Sequence, residues 1–468
     1  MNSIIRALDR AKASLAYRVQ ESLLRRPTFR FLAELRASGD WTPQALETLQ
    51  NSRLNSLLRT ALAHSPWHAA RIREAGLEAR VIAGAATVAD LRLLPTMDKQ
   101  DARENLAQLV WREVPGGAFR YTTGGSSGQP LIFYYGRARQ AADAACRMAA
   151  RGWWGVQPGD REAYLWGAPV ELDNIDRAKR LRDMAVNHLI LNAFKMTPRR
   201  MDEYLAKLEA WQPRALYGYA SSLAMLASHA LNHASCPSLP DLKLVCTTGE
   251  PLLPQQRETI SRAFAVPVAN EYGCRDGGLV AHEAPGGQMR VMSEFMVVEL
   301  LGPDGSPVPA GQPGEVVLTN LASFAQPFVR YRTGDVAVEV PGSPGPAAGI
   351  HALSRIEGRS TDFVVAEDGT VMHALALIYE IRKIDGVGEF KCIQHSLREL
   401  TVFVVPTKAW SNDSKASIIR GLGARLGGSV DIRLELVAEI PPELSGKHRY
   451  VVSHVPLDTT AAPKPPSA

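Results

Sequence analysis

The sequence predicts an α/β large N-terminal domain with wound mixed sheets and a small β element, followed by a small α+β C-terminal domain. Three observations carry this. The 468 residues exceed what one ordinary hydrophobic core accommodates. After Trp111, short apolar runs bounded by glycine and proline (Leu131 to Tyr135, Ala215 to Tyr219, Leu242 to Cys246) alternate with helical stretches such as Met201 to Trp211 and Ser222 to His233. That is the order of crossover units in a partly parallel sheet. Beyond Gly358 the order becomes strand, helix, strands, helix and strand, in a stretch whose length of about 100 residues suits a separate domain. The expected boundaries are 1–357 for the large domain, 358–457 for a small mobile one and 458–468 for an unfolded, low-complexity tail.

Taken in order, the segment from Ile5 to Arg36 sets many arginines among Leu, Ala and Phe. It reads as an amphipathic helix docked on the body with its charges on the wet face, and a membrane-surface helix is the other reading. A helix follows from Thr42 to Ala63, with Thr42 as N-cap, Pro43 at the first helical position and Leu54, Leu57, Leu58 and Ala61 on one stripe. Rising β-branched content from Arg290 to Leu301 and from Gly314 to Leu321, around the turn residues Pro303, Asp304 and Gly305, predicts a smaller antiparallel element. Pro341 to Gly349 reads as a surface loop. In the last domain, helices are expected near Ala374 to Lys383 and Ser414 to Leu426, the second with Ile418, Ile419, Leu422 and Leu426 as its core stripe. Strands are expected near Phe390 to Gln394, Glu399 to Val405 and Val430 to Val437.

Composition narrows the function. Hydrophobic residues form 46% and charged residues 22% of the chain, the balance of a globular protein. The net charge of +5 is small and its cations are dispersed, so no nucleic-acid partner is expected. Cys146, Cys236, Cys246, Cys274 and Cys392 are odd in number and contain no Cys-x-x-Cys pair. Neither a disulfide framework nor a structural zinc site follows, and a reducing cytoplasm fits. No export signal and no transmembrane segment of about 18 apolar residues is present in the sequence.

The stretch Thr122-Thr123-Gly124-Gly125-Ser126-Ser127-Gly128 lies just before the apolar run at Leu131. Its glycines let backbone N–H groups turn toward an anion, and its hydroxyls add donors for phosphate oxygens. It lacks Gly-Lys-Ser/Thr and precedes a strand rather than a helix, so it is not a P-loop; a plain linker is the alternative. Five further phrases follow in the chain: Thr248-Gly249-Glu250-Pro251, Glu271-Tyr272-Gly273-Cys274-Arg275-Asp276, Tyr331-Arg332-Thr333-Gly334-Asp335, Gly358-Arg359-Ser360-Thr361-Asp362 and Ser445-Gly446-Lys447. Each alone is weak. In this order they resemble the phenylacetate–coenzyme A ligase-like family, in its capsule-biosynthesis-type branch, of the adenylate-forming superfamily. Leu94-Pro95 with Lys99, and the phrase from Gly386 to Gln394, also look like this branch.

The resemblance implies an enzyme that uses ATP and Mg²⁺ to join a carboxylic acid to AMP and then passes the acyl group on, with coenzyme A as the expected acceptor. Thr122, Thr123, Gly124, Gly125, Ser126, Ser127 and Gly128 would cradle phosphates, while Gly249, Glu250 and Pro251 line the adenine side. Glu271, Gly273 and Arg275 belong to the same nucleotide motif. Tyr272 would stack on the base, with a core tyrosine as the plain reading. Asp335 would accept both ribose hydroxyls, and Arg359 would sit near ribose and phosphate. Asp276 stands where relatives commonly have a glutamate for Mg²⁺, and Arg275 where many have threonine. Lys447, in the stretch from Pro441 to Arg449, would bridge the substrate carboxylate and the α-phosphate as charge builds. Ser360, Thr361 and Asp362 would form the hinge, with Thr361 replacing a common acidic residue.

Trp166, Tyr217, Tyr219, Ser221 and Ser222 fall in regions that flank the acid in relatives, pointing to an aromatic or flat substrate. His282 faces either the acid or the core. The acceptor stays open between coenzyme A and an amine or hydroxyl, as do homodimerisation and a degenerate, non-catalytic nucleotide binder.

Overall fold

The computed structural model describes residues 3–40, 42–122, 131–166, 177–193, 196–233, 235–250, 252, 254–302, 304–342, 349–357, 363–440 and 450–455. Their described parts form two compact units. Met1–Thr123, Leu131–Asp160 and Ala269–Gly358 contribute to the first; Arg161–Val268 and Arg359–Ala468 contribute to the second.

The first unit begins with helices α1 (Ser3–Leu23), α2 (Thr28–Ala37) and α3 (Pro43–His64). α3 starts as predicted: the Thr42 side chain accepts from the Ala45 N–H at 3.3 Å, and Pro43 occupies the first turn. Its stripe of Leu54, Leu57, Leu58 and Ala61 is buried with Ile72, Leu77 and Val81. α1 is docked, but by the opposite face from the one expected. Ala13 and Glu21 are buried, whereas Ile4, Ile5, Leu8, Leu15, Val19 and Leu23 are exposed. On the docked side Gly159, at φ +91°, approaches the α1 backbone at Arg10 and Ser14 so closely that a Cβ on it would collide.

Strands β1 (Phe119–Thr122) and β2 (Ile132–Tyr135) pair antiparallel, Thr122 opposite Ile132. The run at Leu131 to Tyr135 was expected in a wound sheet. It instead forms a hairpin, since an antiparallel neighbour needs only a short connection.

In the second unit, β3 (Glu162–Trp166), β4 (His188–Asn192), β5 (Ala215–Tyr219) and β6 (Leu244–Thr248) run parallel in the order β6-β5-β3-β4. The helices Pro198–Trp211 and Ala220–Asn232 are the crossovers such pairing requires. Leu205, Leu208, Leu223 and Leu226 from these helices share a core with Leu165, Leu216 and Val245.

Back in the first unit, β7 (Val268–Cys274), β8 (Gly278–Glu283), β9 (Met289–Val291), β10 (Met296–Leu301), β11 (Pro313–Asn320), β12 (Tyr331–Glu339) and β13 (Ala352–Glu357) pair antiparallel in the order β10-β11-β12-β13-β9-β8-β7. The antiparallel element is thus wider than its β-branched content suggested.

The C-terminal region is α+β, as predicted. A hairpin of β14 (Phe363–Val365) and β15 (Val371–His373) precedes a four-stranded sheet of β16 (Val387–Ser396), β17 (Glu399–Pro406), β18 (Asp431–Leu436) and β19 (Val451–Ser453), ordered β18-β17-β16-β19. The helices Leu375–Arg382 and Asn412–Leu426 cover it, the latter burying Ile418, Leu422 and Leu426 against Leu400, Val402 and Val404. Among the described residues, no helix is long and apolar enough to cross a membrane.

Candidate active site

Three motifs meet in the first unit. The Arg275 guanidinium donates from Nη1 to the Thr122 carbonyl at 3.1 Å, tying the Glu271–Asp276 phrase to the residue that precedes the Gly/Ser stretch. The Tyr272 hydroxyl donates to Asp335 Oδ2 at 3.0 Å, and the Tyr331 hydroxyl donates to Asp276 Oδ2 at 2.5 Å. The Leu94–Lys99 segment joins them through its backbone: Met97 N–H donates to the Arg330 carbonyl at 2.9 Å, and Arg332 N–H donates back to the Met97 carbonyl at 2.8 Å.

Backbone irregularities aim these side chains. On β12, Arg332 lies opposite Val317 and Val336 opposite Glu315, so Thr333, Gly334 and Asp335 together face Val316 alone. Gly334 adopts φ +77°, and the Thr333 hydroxyl both donates to the Val316 carbonyl at 3.0 Å and accepts from Asp335 N–H at 3.1 Å. This bulge lifts Asp335 out of the ladder. On β7 the register shifts between Tyr272 and Gly273, and a Cβ on Gly273 would meet the Gly278 carbonyl oxygen at 2.7 Å. Tyr272 packs within the apolar cluster of Phe133, Phe328 and Tyr331. Burial first, and the Asp335 charge second, push its hydroxyl well above the ordinary phenol range, so it stays protonated and donates.

Asp276 is 3% exposed. Burial alone would raise its carboxyl, but nearby Lys99 and the Tyr331 hydroxyl outweigh burial and hold it below the ordinary range. The wholly buried Arg139, on the helix Arg137–Trp153, shapes the backbone here. It donates to the Asp276 carbonyl and, at 3.0 Å, to the Arg275 carbonyl, with its guanidinium carbon 4.2 Å from the Tyr135 ring centroid. Asp276 therefore offers a hard, ionised oxygen donor. That fits Mg²⁺ in charge and ligand type.

Glu271 is buried and pairs with Arg147, Nε to Oε2, at 3.2 Å. His282, opposite Glu271 on β8, is fully buried, its Nδ1 2.9 Å from the Glu283 carbonyl oxygen. Burial lowers its pKa and keeps it neutral, so this geometry is that of a core histidine.

The second unit gathers a different set. Trp166 ends β3, Tyr219 ends β5 and Thr248 ends β6, at the carboxyl ends of parallel strands, where open α/β sheets bind ligands. The Trp166 and Tyr219 rings stack with centroids 4.4 Å apart, and Tyr217 tilts against Trp166 at 5.7 Å. Gly249 has φ +78° and lies against the Tyr219 ring. One oxygen of Glu250 accepts from both the N–H and the hydroxyl of Ser221, which opens the helix after β5. Gly249, Glu250, Ser221, Trp166, Tyr217 and Tyr219 are thus neighbours.

Residues 364–454 match the CapK C-terminal domain. Over 421 residues the chain is 24% identical to Protein CapK of Staphylococcus aureus, covering 87% of this chain and 89% of that protein. It is 23% identical over 329 residues to a phenylacetate-coenzyme A ligase of Pseudomonas putida, covering 69% and 72% of the two chains. It is a homologue of CapK and of the phenylacetate-coenzyme A ligases. In fold the chain resembles 2-hydroxyisobutyryl-CoA ligase in complex with 2-HIB-AMP and CoA, with a TM-score of 0.55 and 20% identity over 88% of this chain and 90% of that one.

Thr123, Gly124, Gly125, Ser126, Ser127, Gly128, Pro251, Arg359, Ser360, Thr361, Asp362 and Lys447 lie outside the described residues, as does the 458–468 tail. Arg139, Tyr135 and Arg147 were not singled out from the sequence of this homologue. A helix of small residues carrying Arg139 and Arg147 two turns or so apart was the available signal, and it reads equally as a wet face.

Proposed function

We propose that this chain is an ATP-dependent, AMP-forming ligase that joins a carboxylic acid to AMP and then transfers the acyl group to coenzyme A. The observation that supports it most directly is the hydrogen bond between Tyr272 and Asp335, the two residues assigned to base and ribose from separate motifs. The Asp335 carboxylate accepts the ribose hydroxyls and the Tyr272 ring stacks on the base, its hydroxyl fixing the carboxylate's orientation. Gly249, Glu250 and Pro251 serve the adenine, and Thr122 to Gly128 serve the phosphates. Asp276 would hold Mg²⁺, which when bound would supply charge neutralisation at the phosphates. The acid's carboxylate attacks the α-phosphorus in line, the bond to pyrophosphate breaks, and Lys447 with Arg359 balances the charge that builds. Ser360 to Asp362 then act as the hinge, after which the coenzyme A thiol loses its proton and attacks the acyl carbon, the acyl–phosphate bond breaks and AMP leaves. The aromatic surface of Trp166, Tyr217 and Tyr219 favours a flat or aromatic acid.

The test is ATP–pyrophosphate exchange with a panel of aryl and alkyl acids. Exchange that depends on one of them is expected, and none across the panel returns the chain to a nucleotide binder. Mass spectrometry of the products with coenzyme A, hydroxylamine or amines then identifies the acceptor.

A further inference from the structure

α1 presents its apolar stripe to solvent and its polar stripe to the protein. Ile4, Leu8, Leu15 and Val19, with Ile5 and Leu23 beside them, are each at least 50% exposed. At 100° per residue they fall within one arc of about 100° on the helix. The opposite arc, with Ala13, Tyr17 and Glu21, is the docked one: Ala13 and Glu21 are buried, and Tyr17 packs edge-on against Phe29. Six large apolar side chains on one helix are more than the scattered exposed leucine of an ordinary surface.

Charge identifies the occupant. Lys12 and Arg18 are exposed on or beside the stripe, and Arg25 is exposed just past the end of the helix. Neither acid of α1 joins them: Asp9 is part-buried, and Glu21 is buried and bonded by Arg26 and Thr28. A second copy docking on this face would set cation against cation. An anionic lipid surface satisfies both the apolar stripe and the cations.

We infer that α1 seats the protein on anionic membranes, lying in the interface plane with Leu8, Leu15 and Val19 in the acyl boundary and Lys12 and Arg18 among the headgroups. The surface is independent of the nucleotide chemistry proposed above.

The experiment is flotation of the full chain with vesicles of phosphatidylcholine alone or mixed with phosphatidylglycerol. Binding to the anionic vesicles, weakened by salt and absent from neutral ones, is expected. Each cation at such a surface is worth about fivefold in partitioning, so Lys12→Gln with Arg18→Gln lowers it about 25-fold. Leu8→Gln with Leu15→Gln removes two inserted side chains and lowers it about a hundredfold or more. These positions are exposed, so the variants retain wild-type thermal stability, which separates lost binding from lost folding. Failure of the wild-type chain to float with anionic vesicles overturns the inference, as does flotation unchanged in the leucine variant. A dimer that the leucine variant dissociates into monomers also overturns it, assigning the face to a second copy.

Discussion

Replacing Tyr272 by phenylalanine removes one atom and one hydrogen bond, the 3.0 Å contact to Asp335. The ring and its packing stay in place, so no cavity opens. A hydrogen bond from a neutral donor to a charged acceptor contributes about 1.5–3 kcal/mol. Asp335 is only half-buried, so water can replace part of what the phenol gave, which places the effect at the lower end, about 1.5–2 kcal/mol. If that bond orients the carboxylate for the ribose, it acts equally on ground and transition states. The KM for ATP in pyrophosphate exchange then rises about ten- to thirtyfold with kcat nearly constant. Asp335→Ala raises KM further, and the double variant is little worse than Asp335→Ala alone, because the two side chains act through one contact. Effects that add to within about 0.5 kcal/mol would refute the coupling. An unchanged KM in Tyr272→Phe would remove the hydroxyl from nucleotide binding altogether.

Gly273→Ala places a methyl 2.7 Å from the Gly278 carbonyl oxygen, a backbone atom that cannot step aside, so the variant should lose about 1–3 kcal/mol in urea denaturation. Lys447→Ala should lower acid-dependent exchange by about 10²–10³ while leaving the denaturation midpoint unchanged, as removal of a charge-stabilising group does; an unaltered rate excludes Lys447 from the chemistry. His68 donates from Nε2 to the Pro327 carbonyl, 3.0 Å away, and burial, aided by Arg71, lowers its pKa to about 3. The unfolded chain takes up that proton near pH 6.5 and the folded one does not. Stability is therefore fully present above pH 6.5 and falls toward pH 3 by up to about 1.4 kcal/mol per unit. In His68→Gln, urea midpoints measured at descending pH should fall less steeply than in the wild type.

Much of this was legible in the sequence because it rests on short-range rules. The α3 cap at Thr42 and Pro43, the parallel strands with their crossover helices, and the α+β C-terminal region follow from periodicity and turn chemistry. Of the site phrases, Thr122, Glu271–Asp276 and Tyr331–Asp335 come together as neighbours, each marked in the sequence by a glycine or charge in a fixed local order. What the sequence did not disclose depends on residues far apart in the chain. Arg139 reaches the carbonyls of Arg275 and Asp276, acceptors that every residue possesses and no pattern marks. The docked face of α1 lies against Gly159, more than a hundred residues away in the chain, a contact no local pattern marks. Charge placement within α1 alone pointed the other way.

Three backbone irregularities of the first unit fall within the motifs themselves. β7 breaks register at Gly273, beside Tyr272; β12 bulges at Gly334, beside Asp335; and Arg330, which leads into Tyr331, adopts the left-handed region at φ +53°. A non-glycine residue there costs about 1–3 kcal/mol unless its surroundings impose it. Arg330 is imposed upon: its guanidinium makes two bonds to Glu299, at 3.0 and 2.9 Å, and one to the Leu94 carbonyl at 2.6 Å, while its own carbonyl accepts from Met97. An antiparallel sheet selected for stability alone would keep its ladder intact through such positions. Here each interruption turns a hydroxyl or carboxylate of one motif toward a partner in another, with Gly273 set beside Tyr272 and Gly334 beside Asp335.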